Sequence, residues 1–228
     1  MRHEFQVQGR MVMQQDGDRM PKAKPSNDEV VQQLRKRLER LRETLYRFPL
    51  KGDTPWSAPF KWAIGCLGKK LGYQAWGAIA HHEGWDEGLR LVKKGRHELR
   101  AILGDMTFDE TEWLFDVCWA DCRSAGKARG DWEDLYALPL ACEIEWSQNW
   151  RATVNDFLRL TVADADIKLF IFACANFRDA QERIELLREK ARNVRRFRGE
   201  FLVIAVPDGG PFPGQEDKLR AQFAQGAK

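Results

Sequence analysis

The stretch Leu138-Pro-Leu-Ala-Cys-Glu-Ile-Glu-Trp-Ser147 constrains the fold most, because it is apolar enough to be a buried strand and yet carries Glu143 and Glu145. Side chains alternate along a strand. Leu140, Cys142, Ile144 and Trp146 therefore share an apolar face, and Ala141, Glu143, Glu145 and Ser147 share the other. Two acids side by side repel each other and are costly to bury. The surrounding fold must therefore supply a bound cation or basic partners.

A second acid-bearing strand precedes it. Glu112-Trp-Leu-Phe-Asp-Val-Cys-Trp119 is an apolar run interrupted by Asp116. Alternation puts Trp113, Phe115, Val117 and Trp119 on one face and Asp116 on the other, with Leu114 and Cys118. The polar, Gly-containing loop from Ser124 to Asp134 is long enough to join the two strands as a hairpin. Pairing them would gather Asp116, Glu143 and Glu145.

Helices and strands alternate after this hairpin. Asn149 to Val162 is an amphipathic helix behind a Ser or Asn cap, with Trp150, Val154, Phe157 and Thr161 on one side and Leu158 adjacent. The unbroken apolar run from Asp164 to Cys174 predicts a central strand. Asn176 caps a helix that turns Ile184, Leu187, Ala191 and Val194 inward, and Phe201 to Val206 is another buried strand.

Before the hairpin, Ser26-Asn-Asp-Glu29 is a capping box ahead of a helix with apolar positions Val30, Leu34, Leu38, Leu41 and Leu45. Pro49 to Pro59 is a linker. Phe60, Ile64, Leu67 and Leu71 then keep helical spacing up to Gly72, Tyr73 to Ala80 is a short strand, and Asp86 to Leu103 a charged helix. The expected organisation is a polar, disordered tail over 1–25, an amphipathic helix over 26–48, an α/β core over 57–206 and a polar tail over 207–228. The expected fold is a mixed central sheet flanked by helices, with an extra N-terminal helix.

Composition narrows the class. A chain of 228 residues, 43% hydrophobic with nine Trp and thirteen Phe, can bury a full core as one domain. No stretch approaches the roughly 18 apolar residues of a membrane span, so no membrane partner is expected. Cys66, Cys118, Cys142 and Cys174 sit in apolar runs, which fits reduced thiols in the cytoplasm. Cys118 and Cys122 have no second pair to complete a zinc site, and His81 and His82 adjoin on a loop where neighbours rarely converge on one ion. The net charge of +3 decides nothing about an anionic partner.

With these residues in place, the chain resembles the PD-(D/E)XK nuclease superfamily, the restriction-endonuclease-like fold. That pattern has an Asp on the second core strand, an acidic motif on the third, then a helix and a hydrophobic strand. Asp116 matches the first acid and Glu143 the second, while Glu145 stands where the usual Lys would be. Glu143-Ile-Glu-Trp-Ser147, Asn155-Asp-Phe-Leu-Arg-Leu160 and Ile167-Lys-Leu-Phe-Ile-Phe172 also look like a group of bacterial proteins with that fold. The resemblance covers about residues 57–206. Phe115 replaces the Pro of the family name, and the Glu-x-Glu arrangement resembles that of some type II restriction enzymes.

The resemblance implies phosphodiester hydrolysis, with Mg²⁺ or Mn²⁺ held by Asp116, Glu143 and Glu145. Glu145 serves as a further ligand or general base, and Lys168 or Arg159 supplies the positive charge. Nucleic acid, DNA first, is the expected partner. Its phosphates would meet the basic stretch Arg183, Arg188, Lys190, Arg192, Arg195, Arg196 and Arg198, or Lys61, Lys69 and Lys70. The alternative is a non-catalytic binding or assembly module with the same fold, forming a homodimer through its Leu-rich N-terminal helix.

Overall fold

The computed structural model describes residues 24–47, 57–77, 115–124, 133–147, 149–194, 199–207 and 220–224. In chain order the elements are α1 (Asn27–Arg47), α2 (Ser57–Lys70), β1 (Gln74–Gly77), β2 (Val117–Ser124), β3 (Glu133–Glu145), α3 (Trp150–Val162), β4 (Ile167–Cys174), α4 (Phe177–Arg192), β5 (Glu200–Pro207) and β6 (Arg220–Ala224). The strands form one mixed six-stranded sheet in sequential order. β1, β2 and β3 make an antiparallel meander, β3, β4 and β5 run parallel, and β6 closes the edge antiparallel to β5. The expected helix at 86–103, His81 and His82, and the basic residues Arg195, Arg196 and Arg198 lie outside the described residues.

Handedness decides which face each helix covers. The two parallel crossovers step in the same direction across the sheet, so right-handed connections put α3 and α4 on one face. Phe157 and Leu160 of α3 and Ile184, Leu187 and Ala191 of α4 accordingly join Ala141, Phe170, Phe172 and Phe201 in one apolar cluster. The opposite face would be bare without the N-terminal helices. There Val30, Leu34, Leu38, Leu41 and Leu45 of α1 and Phe60, Ile64 and Leu67 of α2 pack on Trp119, Leu140, Cys142, Ile171 and Ile204. The apolar stripe of α1, expected to be available for self-association, is thus used inside the fold.

Local signals fix the helix ends. Ser26 N donates to Glu29 Oε2 at 2.8 Å, and Glu29 N donates back to Ser26 Oγ at 3.4 Å, completing the capping box. α2 stops where Gly72 takes a φ of +86°, with Tyr73 N donating to Gly68 O and Gly72 N to Lys69 O, both at 3.0 Å. Gly68 answers to packing. A Cβ there would lie 2.5 Å from Nε1 of Trp119, whose indole N–H donates to Ile64 O at 3.1 Å.

Three expectations are corrected. Strands extend into the expected 124–134 loop, since β2 runs to Ser124 and β3 starts at Glu133. Pro139 does not break β3 because the register slips there. Trp119 pairs with Leu140, but Asp121 pairs with Ala137, and β4 begins pairing only at Leu140. In the expected polar tail, Arg220–Ala224 is an edge strand, which needs backbone bonds on one side and no apolar alternation. On α3 Leu160 faces inward, while Trp150 and Leu158 are each 37% exposed, because the stripe rotates past the assumed positions.

Candidate functional site

The faces of β3 are as alternation requires. Leu140, Cys142 and Ile144 enter the core under α1 and α2, and Ala141 enters the core under α3 and α4. Glu143 is carried to the second face near the carboxyl end of the strand, where its side chain is only 3% exposed. Its Oε1 lies 3.4 Å from Nε of Arg159 on α3, yet has no hydrogen-bond donor among the described residues. Burial pushes this carboxyl up to about 8, and the charges of Asp116 and Asp156 add to the effect against Arg159 and Lys61.

Asp116 reaches the same place by a route that simple alternation does not give. β2 starts at Val117, and Phe115 and Asp116 form a bend before it. Phe115 consequently packs on the α3 and α4 side, whereas strand spacing would put it with Val117 and Trp119. Asp116 Oδ2 accepts from Ile144 N at 2.8 Å, beyond the last β2–β3 pair of Val117 with Cys142. Its Oδ1 accepts from Lys61 Nζ of α2 at 2.5 Å. The carboxylate thus replaces a missing strand partner and ties the helix to the sheet edge.

Glu145 ends β3, and its Oε1 accepts from Ser147 N at 2.5 Å. Its carboxyl also shares a hydrogen bond with Asp156 of α3. Burial first and that bond second raise Asp156 to about 6, while Arg159 opposes the shift. Arg159 Nη2 donates to Asp156 Oδ1 at 2.5 Å, so this guanidinium serves Asp156 and Glu143 together. Asn149 Oδ1 accepts from Arg151 N at 2.9 Å, and this cap fixes the start of α3 that sets both residues against β3.

Asp116, Glu143 and Glu145 are therefore gathered at one end of β3, and Lys168 is set apart from them. Lys168 is on β4 opposite Ala141, wholly buried, with Nζ donating to Thr161 O at 3.4 Å and lying 5.4 Å from the Phe201 ring centroid. Burial lowers its pKa, with Asp164 opposing. It caps the last turn of α3, where orphan carbonyls favour a cation. Of the two weighed sources of positive charge, Arg159 is the one beside the acids.

Two contributors were missed. Asp156 sat three residues before Arg159 on a predicted helix, a spacing that joins their side chains. Lys61 is 55 residues from Asp116, and no local spacing connects them. Four acids, Asp116, Glu143, Glu145 and Asp156, thus meet two cations, Lys61 and Arg159. Among the described residues no group of three or more His, Cys, Asp or Glu side chains is arranged as a ready metal cage. The buried, undonated Oε1 of Glu143 and this excess of acid nevertheless fit a hard cation that takes oxygen ligands. No family model, curated protein or solved structure matches the chain.

Proposed function

We propose that this chain is a metal-dependent nuclease of restriction-endonuclease-like architecture, hydrolysing phosphodiester bonds of DNA with Mg²⁺ or Mn²⁺. The observation that carries the reading is Glu143: a buried carboxyl with an undonated oxygen, raised to about 8 by burial and by neighbouring acids. A cation would complete it. Asp116 and Glu143 would hold the ion, with Glu145 beside them. A carboxylate has about four lone-pair sites, so the bonds from Lys61 and Ile144 N leave Asp116 further capacity. Bound there, the ion would polarise a phosphoryl oxygen and acidify a water.

The remaining roles belong to the chain. Glu145, already joined to Asp156 by a hydrogen bond, accepts the proton of the attacking water. Arg159, 56% exposed at its side chain, and Lys61 offset the negative charge that grows on the phosphate. The order of elements also supports this reading: a helix, an antiparallel meander with acids entering its second strand and ending its third, then a helix and a buried strand.

A second reading, a non-catalytic member of the same fold, has its own supporting observation. Lys61 and Arg159 already neutralise Asp116 and Glu143. One experiment separates the two. Purified protein is incubated with single- and double-stranded DNA and RNA in Mg²⁺ or Mn²⁺, and Mn²⁺ binding is measured by calorimetry. The nuclease reading expects DNA cleavage and metal binding, both lost in Glu143→Ala. Intact substrates, with a metal titration that Glu143→Ala leaves unchanged, assign the site to the second reading.

A further inference from the structure

We infer that α1, through Arg35 near its middle and Arg42 toward its carboxyl end, seats the phosphodiester backbone of the substrate. The substrate class rests on the nuclease reading; the placement rests on the direction of each element. The acids sit at the carboxyl end of β3, and β1, β3, β4 and β5 all point to that edge of the sheet. α2 begins at this edge, with Phe60 and Lys61, and ends at the other with Lys69 and Lys70 before β1. α4 leaves the carboxyl end of β4 and brings Arg188, Lys190 and Arg192 to the amino end of β5. Those basic groups are therefore about a strand length, some 26 Å, from the acids. Arg183, on the same helix, is buried.

α1 runs the opposite way. Asp28 and Arg35 act on Glu200 at the amino end of β5, and Tyr46 Oη donates to Pro207 O at its carboxyl end, at 3.3 Å. Between residues 35 and 47 this helix carries six basic side chains against two acidic ones. Arg35 and Arg42, with Glu39 between them, line a small cleft together with Phe60 and the Ile204–Val206 end of β5. Phe60 links cleft and acids. Its ring centroid is 5.7 Å from that of Trp146, which follows Glu145, and its neighbour Lys61 binds Asp116. From β3 to β5 is two strand spacings, about 10 Å in the plane of the sheet, and because α1 covers the face opposite Glu143 the substrate would pass around the carboxyl edge.

The test measures binding of fluorescent DNA and RNA oligonucleotides to the full chain in EDTA over a salt titration, where cleavage cannot interfere. Arg35→Gln/Arg42→Gln should weaken binding roughly tenfold and lower the salt slope by about 1 to 2, while Lys69→Gln/Lys70→Gln stays within about twofold of the parent. Hydrogen exchange on the unmodified protein should show oligonucleotide-dependent protection in the carboxyl half of α1, independently of how the variants fold. Protection at the end of α4 instead, equal effects of the two double variants, no binding by the parent, or equal affinity for polyglutamate overturns the inference. Binding through α1 without cleavage in Mg²⁺ or Mn²⁺ leaves it standing and removes only the catalytic reading.

Discussion

Arg183 and Glu143 are buried to the same degree beneath α3 and α4, each with a side chain 3% exposed, yet only one is satisfied. Arg183 Nε donates to Asp179 Oδ1 at 2.9 Å and Nη1 to Thr153 Oγ1 at 3.0 Å, and its guanidinium lies 4.7 Å from the Trp150 ring centroid. Glu143 has a more distant guanidinium at 3.4 Å, two acids acting against it and an oxygen with no donor. Burial alone therefore does not separate the two charges; completeness of partnering does. Arg183 fastens α4 to α3, whereas Glu143 is held in a state that another cation would improve.

Removing the satisfied charge should produce the largest effect. Arg183→Met is expected to cost about 3 kcal/mol in urea denaturation, since it leaves Asp179 and Thr153 without their buried partner. A loss below about 1 kcal/mol would end the contrast with Glu143. The open charge should behave oppositely. Its carboxyl titrates near 4.5 in the unfolded chain and about 8 in the fold, so the folded state keeps a proton that the unfolded chain releases. Stability should therefore fall as pH climbs from 4.5 to 8 and level off above that range. Glu143→Gln should remove the part of this slope above about pH 6, the value to which Asp156 is raised, gaining about 2 kcal/mol at pH 9 and little at pH 4.5. Parallel pH profiles for parent and variant would show that Glu143 is already fully compensated. The smallest change is expected at Lys168, whose link to Thr161 O is long at 3.4 Å. Lys168→Met should stay within about 1 kcal/mol of the parent by thermal denaturation. A larger loss would make this ammonium, like Arg183, part of the frame.

The fold was more legible than the site because each element carries a local signature. The Ser26 and Glu29 box, the Asn176 cap, the stop at Gly72 and the apolar run of β4 each act within a few residues, and each appears where expected. The faces of β3 were legible for the same reason. At the site, alternation failed at Phe115, because the chain bends before β2, where Ile144 N and Lys61 hold Asp116. The basic stretch on α4 was misread at Arg183, whose charge cannot be told from its neighbours in sequence but whose position faces the core. Lys168 looked like a candidate because it begins the strand after the acid motif; its side chain turns to the end of α3 instead.

The amino-acid sequence by itself determined which segments are helices and strands, where most of the helices begin and end, and that Glu143 and Glu145 share a strand face. These follow from backbone periodicity and capping, which act over one or two turns. Only the tertiary structure decided that Lys61 meets Asp116, that Arg159 rather than Lys168 stands beside Glu143, and that α1 covers one face of the sheet. Those outcomes depend on strand direction and on contacts between residues far apart in the chain, where electrostatic pairing is set by distance in space and leaves no spacing to read.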